Sequence, residues 1–202
     1  LPTGGTLHFE PVDSGIFKVG DGNAYTLYRY QNGYKLTDES GLVVLFNAVG
    51  LPTSITDTNG KTTTITYTGN HINTVTNASG TLTFTYSDGH IATISGPNIG
   101  TVSYTYANGN LVAFTNADNH TIRYSYDNNH NMTQVVSFNG EVMLRNEYDS
   151  QHRVLKQTQP NLGTITYSYD DANRIHSYTT QKGLTYKIVM DILGRTTIQQ
   201  ET

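Results

Sequence analysis

A large aromatic or apolar residue, usually tyrosine, recurs every 19 to 22 residues along most of this 202-residue chain. The series consists of Phe46, Tyr67, Tyr86, Tyr106, Tyr126, Tyr148, Tyr169 and Met190. Self-similarity at a fixed period indicates one supersecondary unit stacked many times, with each unit in contact with its neighbours. A scaffold is therefore a better expectation for this chain than an enzyme.

The residues before each tyrosine alternate between apolar and polar types. Leu82, Phe84 and Tyr86 form one apolar triplet with threonine at the positions between them. Period-two alternation rich in Thr, Tyr, Val and Ile is typical of a strand that is buried on one face. We therefore expect the tyrosines on the buried face of a sheet and the hydroxyl residues on the wet face.

Short polar turns separate these strands. Asn108-Gly109 and Asp88-Gly89 supply the positive φ that tight hairpins need. A second strand follows each turn and carries two apolar residues three places apart, which are Ile72 and Val75, Ile91 and Ile94, Leu111 and Phe114, Met132 and Val135, and Ile175 and Tyr178. A second turn then ends the unit, with glycine at Gly60, Gly80, Gly100, Gly140, Gly163 and Gly183. Each repeat is predicted to be two antiparallel strands and two turns.

The later turns depart from this pattern in a consistent way. After Tyr126 the first turn gains a residue and begins with aspartate, at Asp127, Asp149, Asp170 and Asp191. The residues at its expected glycine position are His130, His152, Asn173 and Gly194, and His120 replaces the closing glycine of another turn. Because Asn and His tolerate a left-handed backbone, these replacements indicate turn geometry and not histidine chemistry.

The repeated pattern resembles a known family. Residues 124–135 and 167–178 follow Tyr-x-Tyr-Asp-x-x-Gly-x-Leu-x-x-Val with substitutions, and residues 33–57 are similar to the segment that leads into such arrays. These units resemble the YD repeats of the RHS proteins, from about residue 33 to the end. The resemblance divides the chain into residues 1–32, which are lead-in strands or an edge cap, and residues 33–202, which are tandem repeats with a truncated last unit.

The resemblance implies a fold and a function. The fold is an all-β, open, spiralling single-layer strip of hairpins, which builds a shell around a cargo polypeptide, such as a toxin, in a larger secreted or cell-surface bacterial protein. Its partners are then the rest of the parent chain and the enclosed polypeptide. Closure into a β-propeller, with four-stranded blades of two units each, is the architectural alternative.

Composition excludes several other classes of function. The net charge is −4 without a basic run, which argues against nucleic acid and anionic membranes. The chain has no cysteine for disulfides or thiolate metal sites, and no apolar run approaches the ~20 residues of a membrane span. No signal peptide is recognised at Leu1. We interpret the chain as a piece of a larger protein whose open strand edges favour weak self-association.

The acidic residues do not form a catalytic pattern. The turn aspartates recur in register with the repeat, which favours turn capping over acid-base catalysis. Asp170 and Asp171 are adjacent, and neighbouring residues usually point apart. The RHS resemblance also implies an Asp-Pro-x-Gly autoprotease motif at the end of a full shell, and no Asp-Pro occurs here. We expect a non-enzymatic chain without a cofactor.

Two histidines suggest a metal hypothesis. His71 and His90 share the same phase of successive units, and neighbouring strands lie about 4.8 Å apart. Zinc needs three or four protein ligands, whereas later units place Asn110, Asn131, Arg153, Arg174 and Arg195 in this column. An exposed polar column is the favoured interpretation, and no metal is expected.

Carbohydrate binding or adhesion at a cell surface is the rival function. Exposed rows of tyrosine mark binding surfaces, and such rings stack on sugars. The repeat tyrosines lie in phase with Leu, Val and Ile and so belong to the buried face. Tyr28, Tyr30 and Tyr34, which lie outside the regular register, are the candidates for a sugar platform.

Overall fold

The computed structural model describes residues 8–19, 25–160, 162–190 and 195–201. These residues form strands and turns, and within them no helix is long and apolar enough to cross a membrane. The chain divides into two compact units, residues 1–101 and 102–202. Gly20-Asp21-Gly22-Asn23, a sequence that predicts a hairpin turn, and the turn positions Asp191 and Gly194 lie outside the described residues.

The first unit contains ten strands among its described residues, and the next strand begins at its end. These strands are β1 (Phe9–Asp13), β2 (Ile16–Val19), β3 (Tyr25–Tyr30), β4 (Gly33–Asp38), β5 (Val43–Phe46), β6 (Pro52–Thr56), β7 (Thr62–Thr68), β8 (His71–Asn77), β9 (Gly80–Ser87) and β10 (His90–Gly96). Each pairs antiparallel with the strand that follows it, from β1 through β10.

The second unit repeats this arrangement. Its strands are β11 (Gly100–Ala107), β12 (Asn110–Thr115), β13 (Thr121–Tyr126), β14 (Met132–Val136), β15 (Val142–Tyr148), β16 (Val154–Gln159), β17 (Gly163–Asp170), β18 (Ile175–Thr179), β19 (Thr185–Met190) and β20 (Thr196–Glu201). Consecutive strands again pair antiparallel from β11 through β20.

These pairings confirm the predicted all-β strip of hairpins. Each unit is a continuous meander, because consecutive strands inside it pair with each other. The β-propeller alternative is wrong, since a propeller is made of separate four-stranded sheets. Local sequence explains the meander, because tight turns join strands that are adjacent in the chain.

The two faces of the strands differ as the alternation predicts. In β7, Ile65 and Tyr67 are half-buried while Thr66 and Thr68 between and beyond them are exposed. The tyrosine face is less covered than expected: among the described residues only Ala113 and Asn146 are buried. A single layer of sheet has no second layer against which to bury its apolar face. The repeat tyrosines are therefore half-buried.

A β-bulge accompanies most repeat tyrosines, and sequence reasoning missed it. Tyr67 pairs with Ile72 while Thr66 pairs with Thr74, so Asn73 is an extra residue. The extra residues of the hairpins with this arrangement are Thr53, Asn73, Ala92, Val112, Thr133 and Leu155. The three-residue spacing of the apolar pairs was the signal, because residues three apart share a face only if one extra residue intervenes.

The hairpin of β17 and β18 lacks this bulge, and two predictions fail there. Tyr169 pairs with His176, while Ile175 pairs with Asp170. The expectation that Ile175 occupies the position of Ile72 is therefore wrong. The prediction of a left-handed Asn173 is also wrong, because Arg174 has φ 56°. The pairing extends through Asp170, and the turn bond runs from Arg174 N to Asp171 O at 3.4 Å, so the left-handed position moves by one residue.

One more turn assignment needs correction. Asn119, and not His120, takes the left-handed backbone with φ 62°. The turn begins at Asn116, whose carbonyl accepts from Asn119 N at 3.0 Å. His120 is the next residue, where the backbone re-enters the strand ladder and its N–H donates to Asn116 Oδ1 at 2.9 Å. The alignment that placed His120 at the glycine position was displaced by one residue.

Candidate functional site

Three-residue loops that follow a repeat position share one hydrogen-bond scheme. In the loop at residues 127–131, Asp127 N donates to Asn131 O at 3.0 Å and His130 N donates to Asp127 O at 3.2 Å. The loop at 149–153 repeats both bonds at 2.9 and 3.1 Å. His130 and His152 have φ 64° and 65°, which confirms their predicted turn geometry. This is a type I turn followed by a left-handed residue.

The carboxylate of the leading aspartate accepts hydrogen bonds from backbone N–H groups of each of these loops. Asp127 Oδ1 accepts from Asn129 N at 2.9 Å and from Asn131 N at 3.0 Å. The side-chain hydrogen bond from Asn131 lowers the pKa of Asp127, and the backbone N–H of Arg153 lowers that of Asp149. Asp170 also has a lowered pKa because the Asn173 side chain donates to it. All three carboxylates therefore act as ionised acceptors for turn N–H groups.

Side chains at the ends of successive hairpins also bind each other. His130 Nδ1 lies 3.0 Å from Asn110 Oδ1, and His152 Nδ1 lies 3.2 Å from Asn131 Oδ1. Because an amide oxygen only accepts, Nδ1 is the donor in both pairs. Each left-handed histidine thus reaches back to the residue that follows the preceding turn. These bonds were not predicted, because the residue pattern indicated only turn geometry for the two histidines.

Arg153 links the next pair of hairpin ends. Its Nε donates to Asp149 Oδ2 at 2.8 Å, and its Nη1 donates to the Asp171 carboxylate at 2.8 and 2.7 Å. Its guanidinium carbon lies 4.2 Å from the centre of the Tyr169 ring, a cation–π geometry. Asp171 also lies 3.6 Å from His176 Nε2. The predicted exposed column therefore contains a cross-link between two hairpins at this position.

Several repeat tyrosines donate a hydrogen bond to the backbone of the strand that follows a loop. The hydroxyl of Tyr67 donates to Pro52 O at 2.8 Å, that of Tyr148 to Met132 O at 2.8 Å, and that of Tyr169 to Val154 O at 2.7 Å. Each acceptor is the second residue after the three central residues of a loop. Burial raises the pKa of Tyr67 and Tyr169. We call this hydroxyl-to-carbonyl bond of Tyr67, Tyr148 and Tyr169 the tyrosine clasp.

Asn146 strengthens the clasp of Tyr148 and was not anticipated. This side chain is buried, and its Nδ2 donates to Met132 O at 3.1 Å. Its Oδ1 accepts from Gln157 Nε2 at 3.2 Å. Asn146 stands two places before its tyrosine, where other units have an apolar residue such as Ile65 or Tyr167. A polar residue at an apolar repeat position was the available signal.

The remaining predicted repeat positions lie on the strands and turns as follows. Phe46 ends β5 and pairs with Tyr34 and Pro52. Tyr86 is half-buried and packs on His71 with ring centres 4.6 Å apart. Tyr106 and Tyr126 are half-buried at the ends of β11 and β13. Positive φ values, from 64° to 132°, occur at Gly60, Gly80, Gly100, Gly140, Gly163 and Gly183.

The two histidines of the metal hypothesis have other contacts. His71 packs on Tyr86, and His90 Nδ1 lies 3.0 Å from Asp88 O in its own turn. Within the described ranges, no group of three or more His, Cys, Asp or Glu side chains is placed to hold a metal ion. The hairpin ends contain instead a chain of hydrogen bonds and ion pairs between repeats. Chemically, this arrangement fixes the position of one hairpin against the next.

Comparison with known proteins identifies one family model. The RHS Repeat model matches residues 104–142 and 148–185. Among solved structures, the Tc holotoxin pore of Photorhabdus luminescens is 12% identical with a TM-score of 0.41, over 93% of this chain and 14% of that one. TcdB2-TccC3 without its hypervariable C-terminal region is 12% identical with a TM-score of 0.40, over the same shares. This chain thus spans 14% of the length of those chains. No curated protein matches it.

Proposed function

We propose that this chain, whose residues 104–142 and 148–185 match the RHS Repeat family model, forms part of the wall of a shell around a cargo polypeptide. It is a structural repeat module, and the proposal concerns what the module encloses. The observation that carries the proposal is the half-buried tyrosine face. Apolar area that remains in water contributes nothing to stability until something covers it.

The incomplete burial of the apolar face supports the proposal that polypeptide from outside this chain covers it. Among the described residues no large side chain is fully buried, although 36% of the sequence is hydrophobic. Ile65, Tyr67, Phe84 and Tyr86 all stay half-buried on one face. Apolar segments of an enclosed polypeptide, or of the parent chain, would complete this face. The opposite face, where Thr66 and Thr85 are exposed, suits the solvent side.

The bonds between hairpin ends support a wall that keeps its shape. Arg153 and the histidines His130 and His152 connect successive hairpins. Partly exposed ion pairs contribute little free energy individually. A row of them restricts how far one hairpin slides past the next. A wall of repeats needs this restriction more than it needs a buried core.

The remaining parts of the proposal follow from the repeat organisation. Residues 1–32 serve as lead-in strands or an edge cap, and residues 33–202 form the repeat array. The repeat positions, from Phe46 through Tyr169 with their turn aspartates and glycines, act in folding and not in catalysis. The parent is a secreted or cell-surface bacterial protein, and its remaining chain is the principal partner.

Site-specific photocrosslinking tests the shell proposal. A photoreactive residue is placed at Ile65 on the tyrosine face or at Thr66 on the exposed face, in the longest natural protein that contains this chain. We expect crosslinks from position 65 to polypeptide segments outside the repeats, and few from position 66. The two positions are adjacent, so they match in expression and local dynamics. Equal crosslinking from both, or none from position 65, would contradict the proposal.

Carbohydrate binding is a second candidate because two aromatic rings of the described residues are exposed. Tyr30 is 42% exposed, and Phe138 is 60% exposed beside a hollow of about 360 Å³ lined also by Met143, Gln159 and Leu162. Phe138 also stacks on His120 at 4.3 Å. Of the predicted platform, Tyr28 and Tyr34 are half-buried. Glycan array binding that Phe138→Ala or Tyr30→Ala abolishes would support this candidate, and an empty array would count against it.

A further inference from the structure

The chain contains the dipeptide Asn-Gly four times, at residues 32, 59, 108 and 139. The peptide nitrogen of a residue after asparagine can attack the side-chain amide, and glycine leaves that nitrogen least hindered because it has no Cβ. The turns around these dipeptides differ. We propose that Asn108 is a site of spontaneous deamidation in the folded protein, and that Asn59 and Asn139 are protected by their turns.

The reaction needs only the chain and water. The Gly109 nitrogen loses its proton and attacks Asn108 Cγ, so that an N–Cγ bond forms and the Cγ–Nδ2 bond breaks. Ammonia leaves, and a five-membered succinimide remains in the backbone. Water then opens either carbonyl of this ring, which gives aspartate or isoaspartate at position 108. The reaction requires no oxidant, reductant or enzyme.

Hydrogen bonding protects the nitrogens of two competing sites. Gly60 N donates to Asp57 O at 3.0 Å, and Gly140 N donates to Ser137 O at 3.0 Å. Both glycines occupy the left-handed position of a three-residue loop, with φ 79° and 85°. The N–H that must lose its proton is therefore committed to a turn carbonyl. Attack at these sites requires that this bond break first.

Gly109 is placed differently. Ala107 pairs with Asn110, so the strand ladder of β11 and β12 ends outside Asn108 and Gly109. Both residues are exposed, and within the described part of the chain no turn or loop bond uses Gly109 N. Asn108 has φ 51° and Gly109 has φ 76°, so both have the positive φ of a two-residue hairpin turn, in which only the flanking residues bond.

The Asn32 site is protected in a third way. Gly33 pairs with Tyr30 as the last pair of the ladder of β3 and β4. A Cβ at Gly33 would collide with the Phe46 carbonyl oxygen, so the backbone here is closely packed. Succinimide closure would move this backbone against its neighbour. The four sites therefore differ in structure while sharing the same reacting dipeptide.

Modification at Asn108 would alter its hairpin. Isoaspartate adds a carbon to the backbone of a turn that has only two residues, and it also adds a negative charge. Asp127 lines the same hollow as Asn108, so the new carboxylate would face a like charge. We expect the β11–β12 hairpin to loosen as the protein ages.

Peptide mapping after incubation of the intact chain at neutral pH tests the proposal. Isoaspartate is quantified at each site with an isoaspartyl methyltransferase and by mass. We expect Asn108 to react about fivefold faster than Asn59 and Asn139, the factor that corresponds to one net hydrogen bond of ~1 kcal/mol. The same protein in concentrated urea should lose this preference, because the turns are then absent.

Two outcomes would overturn the proposal. Equal rates at Asn108 and Asn59 in the folded chain would show that the turn bond gives no protection. A preference for Asn108 that persists in urea would assign it to local sequence and not to the turn. The Asn108→Gln variant controls for the assignment, because its longer side chain closes the ring far more slowly and removes the signal at this site only.

Discussion

Hairpins closed by a three-residue loop and hairpins closed by two residues differ in the contact that the next repeat tyrosine makes with them. After the loops at 127–131 and 149–153, the following tyrosine donates its hydroxyl to the carbonyl of Met132 or Val154, the residue that begins the next strand. After the two-residue turn before His71, the following Tyr86 packs its ring on that histidine instead. The tyrosine at this repeat position thus contributes either a hydrogen bond from its polar hydroxyl or a packing contact of its apolar ring.

The difference shows how a repeat protein tolerates variation in loop length. A three-residue loop carries its own acceptor, the leading aspartate, which satisfies the turn N–H groups. The clasp then anchors the strand that leaves the loop. A two-residue turn needs neither, because Gly and Asn supply its backbone angles directly. Both designs keep the tyrosine on the same face of the sheet.

The largest effect is expected from removing both side-chain donors to the first carbonyl of β14. Met132 O accepts from Tyr148 Oη and from Asn146 Nδ2. The double variant Tyr148→Phe/Asn146→Ala should lose about 2–3 kcal/mol of unfolding free energy, since it leaves a half-buried carbonyl without either donor. Urea denaturation of both single variants and the double measures this loss. Strictly additive single losses would show that the two donors do not share one role.

A smaller effect should separate the two classes of hairpin. Tyr169→Phe removes the clasp to Val154 O and should cost about 1 kcal/mol, the net value of one hydrogen bond. The matched variant Tyr86→Phe keeps the ring contact with His71 and should cost less than ~0.5 kcal/mol. Chemical denaturation of the two variants under identical conditions compares them. Equal losses would remove the distinction between the classes.

A stabilising change tests the turn of β17 and β18. Arg174 has φ 56°, which is unfavourable by about 1 kcal/mol for a residue with a Cβ. Arg174→Gly should therefore raise the thermal midpoint, whereas Asn173→Gly should lower it because Asn173 Nδ2 donates to Asp170. Differential scanning calorimetry measures both. The opposite order would restore the sequence-based assignment of Asn173 to the left-handed position.

The smallest expected effect is a pH dependence at Asp127. Its pKa is lowered in the folded chain, chiefly by the side-chain hydrogen bond from Asn131. The contribution of Asp127 to the free energy of unfolding is therefore complete above the unfolded pKa of ~3.9, and it is lost as pH falls through the lower folded pKa. The stability difference between wild type and Asp127→Asn should be constant from neutral pH to about pH 5 and should shrink below about pH 4. Urea midpoints across this range test the sign, and a difference that grows in acid would contradict it.

Most of the strand pattern could be predicted from the sequence. Apolar residues at every second position place Tyr67 and Ile65 on one face, because successive side chains of a strand point to opposite sides. Asn-Gly and Asp-Gly mark turns because few other residues accept positive φ. The left-handed geometry of His130 and His152 followed from the same rule. These features depend on local stereochemistry, which the residue types of a single sequence largely determine.

The contacts between hairpins could not be predicted in the same way. Arg153 reaches Asp171 across 18 positions of sequence, and nothing in the spacing pairs these two residues. The left-handed position at Arg174 depended on where the ladder ends, which a shift of one residue in pairing decides. Asn146 and the bulge residues left readable signals, an apolar position occupied by asparagine and an odd spacing. Both signals gain meaning only after the register is known.

Hydroxyl-radical footprinting of tyrosine determines whether another polypeptide covers one face of this repeat sheet. The chain alone and the longer protein that contains it are labelled under the same conditions, with the exposed Tyr30 as an internal reference. We expect Tyr67, Tyr86 and Tyr148 to react in the isolated chain and to become protected in the longer protein, while Tyr30 changes little. Equal labelling of the repeat tyrosines in both would contradict it.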